Sequence, residues 1–226
     1  MQRKLMPLII LTILACLWSL NRRVVSLSNR PVTISKSNQL PGLYSRISKS
    51  VVYIKCYQGS GGGSASGVVI GEHTILTAAH VVRYMDDIKI LDYKGNNIPV
   101  VCWEIDSNDD CAIITTAIKL SGIIQPAKTA TVGEHVIVIG EPFGKTFYNT
   151  MTYGIISGLE RNVEYFGVSP MLTIDAATNP GNSGGPVLNM DGKLIGIVSG
   201  SIRGADNLGI ITTVKTVKEF LNGRQL

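Results

Sequence analysis

The sequence predicts an all-β domain closed by one short C-terminal helix, and three observations carry that expectation. Apolar, β-branched runs are short and are cut by Gly, Asn and Asp, the residues that turn a chain between strands. One late segment, residues 213–221 (TVKTVKEFL), spaces its apolar side chains for a helix with a charged face, placed to cap the domain. Once the first forty residues are set aside about 185 remain, enough for one folded unit with a substantial core.

The strand candidates run, in order, over residues 51–57 (VVYIKCY), 66–70 (SGVVI), 98–103 (IPVVCW), 136–139 (VIVI), 171–174 (MLTI) and 194–198 (LIGIV). Residues 75–80 (ILTAAH) read as a further strand that stops at His80, where the imidazole can reach a cleft while the strand fixes its backbone. Ahead of the domain (43–226) stand a linker containing Ser, Asn, Arg and two prolines (24–42) and a signal or anchor segment (1–23). In that segment a sixteen-residue apolar run, 5–20, follows Arg3 and Lys4. At 1.5 Å per residue it spans about 24 Å, short of a hydrocarbon core of about 30 Å, so one crossing needs bilayer thinning or help from Trp18 and Arg22. Arg22 and Arg23 follow the run, so positive charge hardly sets its orientation. ILAC, ending at Cys16, also resembles a bacterial lipobox. A retained hydrophobic helix, a lipidated Cys16 and a cleaved signal therefore all stay open. Each associates the domain with a membrane or sends it to a periplasmic or other extracytoplasmic space.

The net charge of +5 is misleading about partners. Residues 1–36 hold six of the 21 Lys and Arg and no acid, which leaves 15 basic against 16 acidic side chains, a net of −1, on the rest. Nucleic acid is not an expected partner of the folded part.

The most informative stretch is TIDAATNPGNSGGP, residues 173–186. Ser183 stands between Asn182 and Gly184, with Gly181 and Gly185 beyond, so the backbone can take positive-φ turns. Such a turn exposes a nucleophile and can aim the N–H groups of Gly181 and Ser183 at a developing oxyanion, with Asn182 as part of the same hole. A serine hydroxyl needs a base and a group to orient that base. His80 is the candidate base; His73 and His135 lack such context and read as structural or solvated. Asp110, leading into Cys111-Ala112-Ile113-Ile114, is the candidate orienting acid, ahead of its neighbours Asp106 and Asp109. The order His80, Asp110, Ser183 is that of chymotrypsin-like double barrels.

Five segments in order, ILTAAHVV, DCAII, GEHVIVIGEPFG, TYGIISGLER and TIDAATNPGNSGGPV, resemble the trypsin-like serine proteases, and among them the HtrA/Deg branch, over residues 43–221. The resemblance implies two six-stranded antiparallel β-barrels and a serine endopeptidase acting on protein or peptide substrates without a cofactor. In it His80 takes the Ser183 proton and returns it to the leaving amine, while Asp110 holds the imidazole. It implies a serine, Ser199, beside the triad aspartate, and a primary pocket walled by Ala177, Thr178, Ser199, Gly200, Ser201, Leu208 and Ile210. No acid stands at Ala177, so cleavage is expected after Val, Ala, Leu or Ile rather than Arg or Lys. Asn182 replaces the aspartate that in digestive trypsins pairs with a new N-terminus, so activation by that ion pair is not expected. By resemblance the oxyanion loop is switched by neighbouring loops, one being residues 144–150 (GKTFYNT), with Phe147 or Tyr148 packing on that loop or on another subunit. The resemblance also implies a homotrimer as an assembly to test. A PDZ domain typically follows in this branch; the chain ends at Leu226 and no peptide-binding module is expected.

Cys102 and Cys111 lie symmetrically about Asp106-Ser107, where an even hairpin would make them face each other as two thiols or a bridge. Cys56 has no evident partner, and no clustered His, Cys or acid set suggests a metal site. Two function classes stay in view, a serine endopeptidase that processes or degrades unfolded or exposed proteins and a catalytically silent relative acting as a binding scaffold. Complete triad candidates favour the enzyme.

Overall fold

The computed structural model describes residues 39–222 apart from Arg203 and the side chain of Lys145. The apolar run, Cys16 and most of the linker stretch lie outside the described residues. The first described element is a helix, α1 (Leu40–Ile47), which has Pro41 in its first turn and buries Leu43 and Ile47. It begins within the residues read as linker, inside the compact unit Gln39–Leu226.

Strands β1 (Val51–Gln58), β2 (Gly61–Gly71), β3 (Thr74–Thr77), β4 (Asp87–Leu91), β5 (Asn97–Ile98), β6 (Val100–Ile105) and β7 (Ala112–Thr116) form an antiparallel sheet in the order β5-β4-β1-β2-β3-β7-β6. Its seven strands are six by topology. The segment expected over residues 98–103 is one strand interrupted at Pro99, whose missing N–H cannot serve the ladder. Ile98 pairs with Ile90 on β4, whereas Val100 pairs with Thr116 on β7. The two edges of the sheet are thus two halves of one strand, and the sheet curls into a barrel with Pro99 at its seam.

The second sheet closes fully. Strands β8 (His135–Gly140), β9 (Thr150–Arg161), β10 (Met171–Ile174), β11 (Pro186–Asn189), β12 (Leu194–Ser201) and β13 (Gly209–Thr213) run β10-β13-β12-β11-β8-β9 around a barrel. Val136 and Val138 point into this barrel with Ile156, Leu172, Ile174 and Ile211. Ile137 and Ile139, on the other face of β8, join the core that also contains Ile54, Ile75 and Ile114 of the first barrel. Strand β8 is buried on both faces, which is why it reads as an unbroken apolar run. The C-terminal helix α3 (Val214–Leu221) lies where expected. The hydroxyl of Thr213 accepts the Thr216 N–H, and Val217 and Phe220 are buried.

Two local expectations change. The His80 segment is not strand to its end: β3 stops at Thr77, and His80 lies on the helical turn α2 (Ala79–Val82). The Asp110 carboxylate accepts the His80 backbone N–H at 2.9 Å and so satisfies a donor that the start of a helix leaves open. Cys102 and Cys111 do not face each other. The hairpin pairs Ile105 with Ala112 and Cys102 with Thr115, because Asp106 folds the connection into a longer loop. Its carboxylate accepts the N–H groups of Asn108 and Asp109, and its own N–H donates to the Cys111 carbonyl. Both cysteines are thiols, Cys111 buried and Cys102 exposed.

Ile47 is 1% exposed within the first core. Ile47→Ala is therefore expected to cost about 2–5 kcal/mol in urea unfolding of the full chain. A change well under about 1 kcal/mol would show that α1 does not stabilise the domain.

Candidate active site

The three candidate catalytic residues come from separate elements: His80 from α2, Asp110 from the turn before β7, and Ser183 from the loop before β11. Asp110 is 5% exposed. Its two carboxylate oxygens lie 3.0 and 2.9 Å from His80 Nδ1. A carboxylate accepts and does not donate, so the ring proton belongs on Nδ1 and Nε2 is left as the basic nitrogen. The His80 side chain is 43% exposed and borders a cleft of about 430 Å³ with Ser183, Gly181, Pro180, Cys56 and Met85. Among the described residues no hydrogen bond joins Ser183 to His80; such contacts commonly tighten only when substrate is bound.

The loop before β11 is shaped by two positive-φ glycines, Gly181 at +103° and Gly184 at +77°. A Cβ on Gly181 would lie 2.1 Å from the Glu141 carbonyl oxygen, and one on Gly184 would lie 2.1 Å from Thr77 Oγ1, so neither position tolerates a side chain. The Asn182 N–H donates to the Asn179 carbonyl at 2.9 Å and the Gly184 N–H to Val198 at 2.8 Å. The Asn182 backbone N–H therefore builds the turn and is not free to meet an oxyanion. Among the described residues the N–H groups of Gly181 and Ser183 meet no protein acceptor, which leaves them for an incoming oxygen.

Ser199 reaches the aspartate indirectly. Its hydroxyl lies 2.7 Å from the Thr212 hydroxyl, and Thr212 donates to the Asp110 backbone carbonyl at 3.4 Å. Thr212 had no motif to single it out. The recess expected as the primary pocket lies beside the loop, where Thr178 packs against Gly209. A Cβ on Gly209 would lie 2.9 Å from Thr178 Cγ2 and 3.0 Å from Ile174 Cγ1. Leu208 is half-buried at its rim and Ser201 is exposed. Ile210 does not wall this recess, because strand alternation turns it to the face opposite Gly209 and Ile211, where it pairs with Gly200.

Residues 141–149 back the turn. Glu141 is fully buried, and its carboxylate accepts the Asn149 N–H at 3.1 Å. Burial pushes its carboxyl up to about 7, and the Asn149 N–H pulls only partly the other way. Tyr148 donates its hydroxyl to the Asp92 carbonyl in the first barrel, and burial with the nearby Glu141 and Asp92 carboxylates raises its pKa. Phe147 is exposed and stands edge-on to Phe143. Of the other histidines, His73 Nδ1 lies 3.0 Å from the Thr116 carbonyl and His135 stacks on Tyr153.

The family described as trypsin-like peptidase domain matches residues 65–197, a stretch that contains His80, Asp110 and Ser183. The chain belongs to this family. Among its relatives, the chain is 38% identical over 161 residues to the serine protease Do-like HtrA of Bacillus subtilis, in an alignment covering 66% of this chain and 36% of that protein. The chain thus spans only about a third of that relative's length. Its fold is that of the HtrA-type protease AlgW solved with a tripeptide, with a TM-score of 0.73 and 26% identity over 80% of this chain and 62% of the other. A serine endoprotease from Yersinia pestis is similar at a TM-score of 0.71 and 26% identity, over 85% of this chain and 67% of that one.

The raised Glu141 carboxyl gives a pH-dependent term of known sign. Between about 4.5 and about 7 the folded domain holds a proton that the unfolded chain releases, so stability falls as pH rises through this window. Glu141→Gln keeps an acceptor for Asn149 without a charge and is expected to gain on the wild type by up to about 3 kcal/mol between pH 4.5 and pH 8. Urea midpoints of both proteins at the two pH values measure it; parallel pH profiles would show that Glu141 does not titrate there.

Proposed function

We propose that this chain is a serine endopeptidase in which Ser183 attacks a peptide carbonyl, His80 moves the proton and Asp110 orients the imidazole. The observation that carries the reading is the Asp110 carboxylate holding both the ring and the backbone nitrogen of His80, at the mouth of a cleft shared with Ser183. As the Ser183 Oγ–C bond forms, its proton passes to His80 Nε2 and the carbonyl oxygen becomes an anion. The unengaged N–H groups of Gly181 and Ser183 stabilise that anion. His80 then gives the proton to the leaving amine, and water repeats the sequence on the acyl-enzyme.

Ala177 offers no carboxylate to meet Arg or Lys, which favours cleavage after Val, Ala, Leu or Ile. The apolar run at residues 5–20 supports action at or beyond a membrane, on unfolded or exposed proteins. A homotrimer is the assembly that the family likeness suggests, to be read from the mass of the purified chain in solution.

The full chain and Ser183→Ala are compared by labelling with a fluorophosphonate probe and by digestion of casein, with cut sites mapped by mass spectrometry. Labelling and cleavage after aliphatic residues are expected, with turnover about 10⁶-fold lower in the variant. A folded wild-type protein that neither labels nor cleaves would refute the enzyme and leave the binding scaffold.

A further inference from the structure

The acids beside Asp110 do separate work. Asp106 ties its own turn, as described above, whereas Asp109 reaches across to the connection between β9 and β10. Its carboxylate accepts the N–H of Val168 at 3.1 Å, the N–H of Ser169 at 2.8 Å and the Ser169 hydroxyl at 2.8 Å. The Asn108 carbonyl accepts the Val168 N–H as well, at 3.2 Å. Gly167 lies so close that a Cβ there would be 2.5 Å from Asp109 Oδ1. The residue immediately before this clamp is Phe166.

Phe166 stands at the edge of the candidate active site. Its ring centroid is 6.4 Å from that of His80, with the planes 56° apart. A Cβ on Gly200 would lie 2.7 Å from Phe166 Cζ, so the phenyl ring fills the space that a side chain at 200 would occupy. Tyr165, 90% exposed, packs edge-on against the same ring at 5.0 Å.

The adjoining strand edge is open. Pairing of β12 with β11 ends at Ile197, and Val198 exchanges hydrogen bonds with Gly184 and Gly185. From Ser199 to Ser201, β12 pairs only with β13 among the described residues. An extended peptide adding to such an edge alternates its side chains between the two faces. The residue whose carbonyl meets Ser183 turns toward Thr178 and Gly209. The residue before it turns to the face of Gly200, against the rings of Phe166 and His80.

We propose that Phe166, held in place by Asp109, forms with His80 the pocket for the substrate side chain one residue upstream of the cleaved residue, and selects a medium aliphatic group there. This rests on the endopeptidase reading. The pocket offers an apolar ring face, and the Asp109 carboxylate oxygens are taken up by the Val168-Ser169 backbone and the Ser169 hydroxyl. Asp109 is a positioning residue, acting through the loop it clamps.

The test uses the full chain and two peptides that differ only in Val or Gly at that upstream position. Phe166→Ala is expected to lower the Val-to-Gly ratio of kcat/KM about tenfold, chiefly through KM, and Phe166→Leu to restore much of it. Asp109→Ala is expected to lower the ratio in the same way, with fluorophosphonate labelling of Ser183 retained. Equal losses on both peptides in Phe166→Ala would overturn the pocket, and an unaltered ratio in Asp109→Ala would overturn the clamp. A wild-type chain that the probe does not label would overturn the endopeptidase reading itself, and the pocket with it.

Discussion

The hydrogen bonds of one buried residue, Ser66, hold the two barrels in the register that the site requires. It lies on β2 of the first barrel and is 0% exposed. Its N–H donates to the Ser183 carbonyl and its hydroxyl to the Gly181 carbonyl, each at 2.8 Å. The same hydroxyl accepts the Glu141 N–H at 3.0 Å, and its carbonyl accepts the Thr77 hydroxyl at 2.8 Å. Four bonds from one small side chain and its backbone fix the turn carrying Ser183 against the strand that leads to His80. A buried polar group must find partners, and here the partners are the backbone atoms on either side of the candidate nucleophile.

The turn is held from behind by the same logic. Ser66 bonds Glu141, Glu141 bonds Asn149, and the Asn149 carbonyl accepts the hydroxyl of Tyr44 on α1 at 3.0 Å. Tyr148 adds a bond to the β4–β5 turn of the first barrel. Residues 141–149 contain non-glycine positive-φ backbone at Phe143 and Asn149, a conformation that persists only when its surroundings impose it. A buried carboxyl at the centre of this chain of contacts makes it sensitive to the proton. The first helix, the loop behind the turn and the turn itself therefore form one physical unit, although they are distant in sequence.

Much of this was legible in the residues. The strands at 51–57, 136–139 and 171–174 show as β-branched runs, and Gly181 and Gly184 were readable because only glycine fits their close approaches. The His–Asp pair was legible as a motif, but the helical turn under His80 was not, since the group that stabilises it is a carboxylate thirty residues away. The cysteine hairpin failed because Asp106 lengthens a loop that symmetry alone had drawn tight. Ile210 failed for a simpler reason: a residue's place in a motif does not say which face of a strand it occupies. Ser66, Thr212 and Tyr44 carried no local signal at all, because each acts through a partner on another element.

Asp110 explains how a half-exposed histidine keeps its orientation. A carboxylate bonded only to the ring would leave the imidazole free to swing with its backbone. Here Oδ1 holds the His80 backbone N–H and both oxygens meet Nδ1, so backbone and ring are referred to one buried group. Its own main chain is tied to the second barrel through Thr212 and Ser199. The exposed side of His80 then borders a cleft that is also lined by Cys56, Met85, Gly61, Gly62 and Gly63. Rigidity on the acid side and openness on the cleft side are compatible because they fall on opposite nitrogens of one ring.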